Sequence, residues 1–235
     1  MSLFDFFLRK KTSIWDAFQV TERFNKAEKG GSFPTKTDYP AKIYLQTRFW
    51  DECRDLNDMT LRDEHERAVD FWWIDGDICA TSQIRGERGS VTSSYSLQVK
   101  YVPDFGEYAY KIVEANGKEI LKKSIYTYQI PEKTNISHLF NLHSHPPHYM
   151  EGQQKPFYSY FSATDIRSLF ASKAVALGMI SDRVTLLCKS TESPDDLPVD
   201  LSDEHIDQEY LQQTLGIVIY EGHWSKGELV KIEEK

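Results

Sequence analysis

The stretch Leu142-His143-Ser144-His145-Pro146-Pro147 places two histidines two residues apart and ends in a pair of prolines. The residues before it, 137–141, are apolar enough to form a short buried strand. Because side chains two apart in a strand point to one face, His143 and His145 are expected on one side and Ser144 on the other. Since the prolines cannot continue a central strand, the histidines are predicted at a strand end, where sites open to solvent.

A candidate carboxylate follows in Ser162-Ala163-Thr164-Asp165, which opens a segment, 166–171, with apolar residues at helical spacing. Asp165 together with the two histidines would give a three-ligand metal site that leaves a fourth position for water, the pattern of catalytic zinc. Simpler interpretations stand beside this one. Ser162 and Asp165 fit a capping box, and a His-x-His pair is often no more than two half-exposed strand residues.

The combination His143-Ser144-His145-Pro146 and Ser162-x-x-Asp165 resembles the core motif of the JAMM (JAB1/MPN/Mov34) metalloprotease family, over about residues 60–190. The resemblance implies one Zn²⁺ ion held by His143, His145 and Asp165. It implies that Ser162 donates a hydrogen bond to the oxyanion and that an upstream glutamate activates water. The implied activity is a zinc metallopeptidase or isopeptidase that acts on a protein or peptide, with ubiquitin or a ubiquitin-like modifier as the implied substrate.

The position of the catalytic glutamate is less well defined. Glu66 fits the family pattern best, five residues ahead of Phe71; Glu64 is the first substitute and Asp70 the second. The small residues that follow the glutamate in the family are replaced here by Arg67, Val69 and Asp70. An alternative interpretation makes Glu66 a solvated member of the charged run 63–67.

The spacing between the two halves of the motif also departs from the family. Seven residues usually separate the second histidine from the serine, whereas the insert 146–161 has 16 residues here, nine more than usual. It contains several large or polar rings, and it is either a flap that faces the substrate or an obstruction of the site. Its notable side chains are His148, Tyr149, Met150, Tyr158 and Tyr160.

The predicted fold class is α+β: a mixed, curved β-sheet flanked by helices, the cytidine-deaminase-like JAB/MPN core that the resemblance implies. The runs 174–180 and 184–188 are apolar and fit the two strands expected after the helix. Asp75-Gly76 lies between two runs, 69–74 and 77–82, and predicts a hairpin.

Other segments complete the domain assignment. One or two amphipathic helices are predicted over 3–28 and another over 42–56, giving a helical extension, 1–58, that either packs on the core or binds a partner. The core domain is predicted to be 59–235. It includes a hairpin over 107–129 around Asn116-Gly117, an edge ribbon or a partner-binding arm, then a helix over 201–215 and a strand over 216–220.

Composition excludes several classes of protein. The 235 residues carry a net charge of −8, which argues against a nucleic-acid-binding surface. Three widely spaced cysteines, without a C-x-x-C pair, predict reduced buried thiols. No apolar run is long enough for a membrane span, and the first charges follow rather than precede an apolar run, so the protein is predicted to be cytoplasmic. Two other functions remain open: a non-catalytic MPN-type interaction module, and a metal-dependent hydrolase of small amides.

Overall fold

Short strands and three α-helices alternate along the chain over the residues that the computed structural model describes, which are 14–28, 30–74, 77–92, 95–103, 107–114, 125–127, 136–149, 157–172 and 174–234. The helices are α1 (Ala17–Glu28), α2 (Thr47–Asp63) and α3 (Ala163–Ala171). The first eight strands are β1 (Ile14–Trp15), β2 (Lys42–Tyr44), β3 (Arg67–Ile74), β4 (Asp77–Ala80), β5 (Ile84–Arg85), β6 (Tyr95–Val102), β7 (Glu107–Glu114) and β8 (Ile125–Thr127). The remaining strands are β9 (Ile136–Ser144), β10 (Pro147–His148), β11 (Phe157–Tyr158), β12 (Ala176–Ile180), β13 (Val184–Cys188), β14 (Val218–Gly222) and β15 (Glu228–Lys231).

One curled, mixed sheet dominates the fold. Its strand order is β1-β2-β15-β14-β13-β12-β9-β3-β4, with β5 paired to the start of β3. The pairs β1–β2 and β9–β12 are parallel, and the other pairs in this sheet are antiparallel. The strands β6, β7 and β8 form a separate antiparallel sheet, and β10 pairs with β11. This confirms the predicted mixed α+β class with a curved sheet.

Both faces of the central strands are buried, so these strands read as continuous apolar runs rather than alternating ones. In β12, Ala176 and Ile180 belong to the cluster under α1 and α2, whereas Leu177 and Met179 belong to the cluster under α3. The same alternation continues through β13 and β14. Helices therefore cover the sheet on two sides at these strands, whereas β9 contributes Leu139, Phe140 and Leu142 to the first cluster only.

The helix α2 packs one apolar stripe against the sheet and then stops where the site begins. Its buried residues recur at spacings of three and four, as a helix that faces a core requires. They are Phe49, Trp50, Glu52, Cys53, Leu56, Asn57 and Thr60. The next residue after the helix, Glu64, adopts a left-handed conformation with φ 57°, and its N–H donates to the Thr60 carbonyl. This turn directs the chain straight into β3.

Several boundaries differ from the predictions. The helix predicted over 42–56 is wrong at its start, because Lys42–Tyr44 is a strand whose Ile43 is buried in the sheet, and the helix runs from Thr47 to Asp63. The helix predicted over 201–215 is also wrong: a short 3₁₀ turn, Asp203–His205, and a π-helical turn, Tyr210–Thr214, occupy it. In both cases tertiary packing overrides local helical periodicity.

The predicted division of the chain at residue 58 falls inside α2, and β1 and β2 pair in the same sheet as strands from the C-terminal part. The predicted turns at Asp75-Gly76 and Asn116-Gly117 lie outside the described residues, although the strands on either side are antiparallel partners. The predicted strand over 216–220 is found two residues later, at Val218–Gly222.

The three cysteines, Cys53, Cys79 and Cys188, are all buried, as predicted. The part of the chain described here contains no helix with the length and apolarity of a membrane span.

Candidate metal centre

Strand β9 presents the two histidines as its sequence predicts. It runs to Ser144, and Pro146 follows two residues later, so His145 lies just past the end of the strand. The His145 N–H still donates to the Ile180 carbonyl of β12, at 2.9 Å, which keeps the backbone extended. The two Nε2 atoms, of His143 and His145, are 3.0 Å apart, and both residues are buried.

The carboxylate comes from the first turn of α3 through a complete capping box. The Ser162 backbone N–H and hydroxyl donate to Asp165 Oδ2, at 2.8 and 2.7 Å, and the Asp165 N–H donates to Ser162 Oγ. The other oxygen, Oδ1, lies 3.3 Å from His143 Nε2. The capping-box interpretation and the metal-ligand interpretation are therefore compatible, because the cap holds one carboxylate oxygen and leaves the other beside His143.

The ligand atoms of these three residues all lie within 4.8 Å of one another, so the metal cluster (His143, His145 and Asp165) could hold one metal ion. Metal–nitrogen bonds of about 2.0–2.1 Å at a tetrahedral angle separate two ligand nitrogens by about 3.3 Å. The observed separations of 3.0 and 3.3 Å are close to that spacing, and the third, from His145 Nε2 to Asp165 Oδ2, is longer at 4.0 Å. Two imidazole nitrogens and one carboxylate oxygen also suit a borderline divalent ion such as zinc.

The insert between the two halves of the motif orients one of the ligands. His145 Nδ1 lies 3.0 Å from the Ser159 carbonyl oxygen. Because a carbonyl can only accept, Nδ1 carries the hydrogen, and the lone pair of the neutral ring is on Nε2, toward the metal cluster. This role of Ser159 was not predicted from the sequence. A backbone carbonyl carries it, and no side-chain pattern signals a backbone contact.

Two pKa shifts leave these ligands in their metal-binding protonation states. Burial, assisted by the nearby His143, lowers the pKa of His145 to about 4, so its ring is neutral at pH 7. For Asp165, burial opposes ionisation, but the hydrogen bond and charge of His143 and the donors of Ser162 hold its pKa well below the ordinary value. Neutral imidazole and ionised carboxylate are the forms that coordinate metals.

Glu66 lines the same cleft as the metal cluster. Burial is the main cause that raises its pKa, from 4.5 to about 7, with Asp165 raising it further and His143 opposing. Its backbone is fixed on both sides, because its N–H donates to the Glu87 carbonyl and its carbonyl accepts from the Gly86 N–H. A carboxyl with a pKa near neutrality can both take up and release a proton at pH 7.

The two substitutes for Glu66 lie elsewhere. Glu64 is exposed and its Oε2 atom pairs with Arg88 Nη2 at 3.1 Å, outside the lining of the cleft. Asp70 does line the cleft. It lies two residues along β3 from Ala68, the residue that pairs with His143, and it accepts hydrogen bonds from His138 and Asn141. Of the three candidates, Glu66 is the acid whose electrostatic environment includes both His143 and Asp165.

Behind the histidines lies a second polar group, the rear anchor, formed by Thr60, Asp63, Arg67 and Ser144. Ser144 Oγ lies 2.6 Å from Thr60 Oγ1 and accepts from the Arg67 N–H at 2.9 Å. The Arg67 guanidinium donates to both oxygens of Asp63, at 2.8 and 2.6 Å. This anchor joins α2, β3 and β9, and it fixes the residue next to Glu66. Its members had no distinguishing signal, since each looks like an ordinary polar residue in the sequence.

The cleft in front of the metal cluster has a volume of about 840 Å³. The described part of the insert forms some of its wall, through Pro146, His148, Ser159 and Tyr160. Strands β10 and β11 pair there as a small ribbon, with the rings of His148 and Phe157 stacked at 5.3 Å. The insert residues 150–156, including Met150, lie outside the described part of the chain.

Comparison of the chain with protein-family models, with curated proteins and with solved structures finds no match in any of the three. The resemblance to the JAMM family thus rests on the motif and on the arrangement of its residues.

Proposed function

We propose that the protein is a zinc-dependent metallopeptidase of the JAMM type, with the JAB/MPN core as its fold. The convergence of His143, His145 and Asp165 beside Glu66, at the wall of one cleft, is the observation that supports this most. Glu66 lies 77 positions before His143, and Asp165 lies 20 positions after His145, yet all of them line one cleft. Helix capping alone would account for Ser162 and Asp165, and strand alternation alone would account for the two histidines. Neither explains why these two parts of the motif lie together.

Zinc is the proposed ion, in one copy, because the donor set is two imidazoles and one carboxylate with a position left for water or substrate. When bound, zinc supplies Lewis acidity, which makes water acidic enough to act near neutral pH and polarises an amide carbonyl. Glu66 then accepts a proton on a carboxylate oxygen and passes it to the leaving amine. Burial raises the pKa of Glu66 to about 7 in the metal-free protein, and a bound divalent cation would lower it and favour the carboxylate that accepts the proton.

Ser162 has a positioning role in this proposal beside the oxyanion role that the resemblance implies. Its hydroxyl hydrogen is engaged by Asp165 Oδ2 at 2.7 Å. Donation to an oxyanion requires that hydroxyl to turn away from Asp165, while the Ser162 backbone N–H continues to hold the same carboxylate oxygen. The backbone half of the capping box thereby leaves the hydroxyl available during the reaction.

The substrate class in this proposal is a protein or peptide amide, including an isopeptide bond to ubiquitin or a ubiquitin-like modifier. A specific observation also favours a second candidate, a hydrolase of small amides. The cleft volume of about 840 Å³ lies in the range that encloses a small ligand. Peptides, modifier fusions and small amides assayed side by side with the zinc-loaded protein distinguish these substrates.

Metal content tests the proposal first. Elemental analysis of the purified protein is expected to find one zinc per chain, and His145→Ala to reduce it below about a tenth, because two ligands hold the ion far less tightly than three. Amide hydrolysis is expected to fall to background in the same variant. A folded protein that never takes up zinc would reject the metallopeptidase and favour the non-catalytic interaction module.

A further inference from the structure

The cleft beside the metal cluster is acidic. Glu66, Asp70, Asp165 and Asp203 line it, whereas Arg88 is the one lysine or arginine in its lining among the described residues. A divalent ion at the metal cluster would offset the charge close to Asp165 and Glu66. The acidic character of the cleft therefore persists at Asp70, on the side away from the ion.

Asp70 provides a separate observation that points to a ligand. Its side chain is 0% exposed, although it forms part of the cleft wall. His138 Nε2 and Asn141 Nδ2 donate to its Oδ1, at 3.1 and 3.2 Å. Its Oδ2 has no hydrogen-bond partner within the described part of the chain. Because a buried carboxylate oxygen left unpaired is unfavourable, a donor or a cation is expected to complete it.

A second metal ion is not the favoured occupant. The group His143, His145 and Asp165 is the one set of three metal-ligating side chains found over the described ranges, and it does not include Asp70. The metal-ligating side chain next to Asp70 in the described part of the chain is His138, whose Nε2 already bonds Asp70 Oδ1, and one acid with one engaged imidazole is a poor metal site. It suits an N–H donor, above all a charged one, since hydrogen bonds between ionised groups are the strongest.

The strand register places Asp70 relative to the metal cluster. Ala68 pairs with His143 and Asp70 pairs with Asn141, so the two pairs are one same-face repeat apart. That repeat is about 6.6 Å in an extended chain. A substrate that lies extended along β9, with its scissile amide at the metal cluster, therefore brings the side chain two residues away next to Asp70.

We infer that the cleft selects a substrate with a lysine or arginine two residues from the scissile amide, and that the Asp70 carboxylate binds this side chain. The inference rests on the proposed peptidase function and adds its specificity. Two exposed rings flank the cleft residue His148 without lining the cleft themselves: Phe157 of the small ribbon is 41% exposed, and Tyr149, just after β10, is 63% exposed. Aromatic faces attract cations, so the ribbon would favour the same substrates.

Peptide cleavage tests the inference with the full-length, zinc-loaded protein. Peptides from a glutamate-specific digest retain internal lysine and arginine, and mass spectrometry of their cleavage products gives the position of the preferred residue. Matched synthetic peptides then carry lysine, glutamine or glutamate at that position. The lysine peptide is expected to exceed the glutamine peptide about 10- to 100-fold in kcat/KM, the effect of one charged hydrogen bond.

Asp70→Asn, which keeps the side-chain shape, is expected to bring the lysine-to-glutamine ratio close to one. Asp58→Asn, an exposed acid on α2 outside the cleft, serves as the matched control and leaves the ratio unchanged. Equal kcat/KM for the lysine and glutamine peptides overturns the inference, and so does an unchanged ratio in Asp70→Asn. If Asp70→Asn does not fold, the kcat/KM values of the wild-type protein for the lysine and glutamine peptides still test whether the cleft prefers a cationic side chain.

Fluorescence anisotropy with the same peptides separates this inference from the peptidase proposal. A protein that cleaves none of them, yet binds the lysine peptide about tenfold tighter than the glutamine peptide in an Asp70-dependent manner, supports the cationic subsite and rejects the peptidase. Cleavage without any preference for the basic peptide supports the peptidase and rejects the subsite. Absence of both cleavage and binding preference rejects both.

Discussion

The rear anchor and the metal cluster lie on opposite faces of β9, and their polar groups are satisfied in opposite ways. On the rear face, Arg67 and Asp63 form a two-bonded ion pair, and Ser144 is bonded to its neighbours. On the cleft face, two imidazole nitrogens face each other at 3.0 Å. A complete set of partners holds a structure in place, whereas ligand atoms that converge on one point form an arrangement that suits a shared cation.

Asp63 and Glu66 show the same contrast between two acids three residues apart. Hydrogen bonds from Arg67, with further help from His65 and Arg85, hold the pKa of Asp63 well below its usual range. Glu66 has no lysine or arginine partner over the described residues, and burial raises its pKa to about 7. One acid is a permanent anion that fixes the fold, and the other can exchange its proton at neutral pH.

The largest expected effect comes from removing the proton-accepting group on the cleft face. Glu66→Gln is expected to lower kcat by about 10²- to 10⁴-fold, the usual contribution of a positioned acid–base group. Zinc content should stay at one per chain, because Glu66 is not a ligand. Glu64→Gln, which alters the exposed neighbour paired with Arg88, is the matched control and should retain wild-type turnover. Full activity in Glu66→Gln would remove Glu66 from the mechanism.

The pH dependence of stability sharpens the contrast between the two acids. Because the folded pKa of Glu66 is about 7 against 4.5 in the unfolded chain, the folded state binds the Glu66 proton more tightly. Its contribution is fully present below pH 4.5 and is lost as the pH rises through 7. Relative to Glu66→Gln, the zinc-free wild type should lose about 3 kcal/mol of unfolding free energy between pH 4.5 and 8.

Urea unfolding of both zinc-free proteins across that pH range measures this difference. A constant gap between the two unfolding free energies would show that Glu66 titrates normally. The comparison with Glu66→Gln cancels the contribution of His145, whose lowered pKa acts in the opposite direction between pH 4 and 6.5.

The capping box should affect the affinity for zinc rather than its stoichiometry. Ser162→Ala removes the hydroxyl that holds Asp165 Oδ2, so zinc affinity is expected to fall about 10- to 100-fold, the typical effect of losing an outer partner of a ligand. Competition with a chelator measures it. Asp203→Asn is the control for helix capping, because Asp203 accepts from the Ala163 N–H of the same helix without touching Asp165. Equal losses in both variants would assign the effect to capping alone.

The smallest expected effect belongs to the rear anchor. Ser144→Ala leaves the buried Arg67 N–H and the Thr60 hydroxyl without this partner, and it is expected to cost about 1–3 kcal/mol of unfolding free energy. Zinc content should be retained. Ser159→Ala, whose side chain is exposed and whose role is carried by its carbonyl, should change neither quantity. Loss of zinc in Ser144→Ala would contradict the separation of the two faces.

Local rules account for the parts of the site that were predicted. Strand alternation put His143 and His145 on one face, because the period of two holds for any extended backbone. The capping box put Asp165 in the first helical turn, because serine and an acid three residues later satisfy the same backbone donors in any helix. The strands β12 and β13 were also predictable from the sequence, because each is a short apolar run between turn residues.

Where the predictions were wrong, packing prevailed over local pattern. Lys42–Tyr44 has helical periodicity with the residues that follow, yet it completes the sheet beside β15 and buries Ile43. Sheet pairing with a strand almost two hundred residues away has no local signal. The same holds for the Ser159 carbonyl, which depends on how the insert folds back over His145.

By itself, the sequence determined the donor types, their faces on local elements, and the α+β class, because these follow from backbone periods and capping chemistry within a few residues. Only the tertiary structure decided that β9 runs parallel to β12 and antiparallel to β3, which brings α3 and Glu66 to the same two histidines. The tertiary structure also decided that Glu66, rather than Asp63, is the carboxyl group whose pKa is raised by desolvation. Desolvation depends on every chain segment that covers a group. The pKa values of Asp63 and Glu66 therefore shift in opposite directions, although the two acids are only three residues apart.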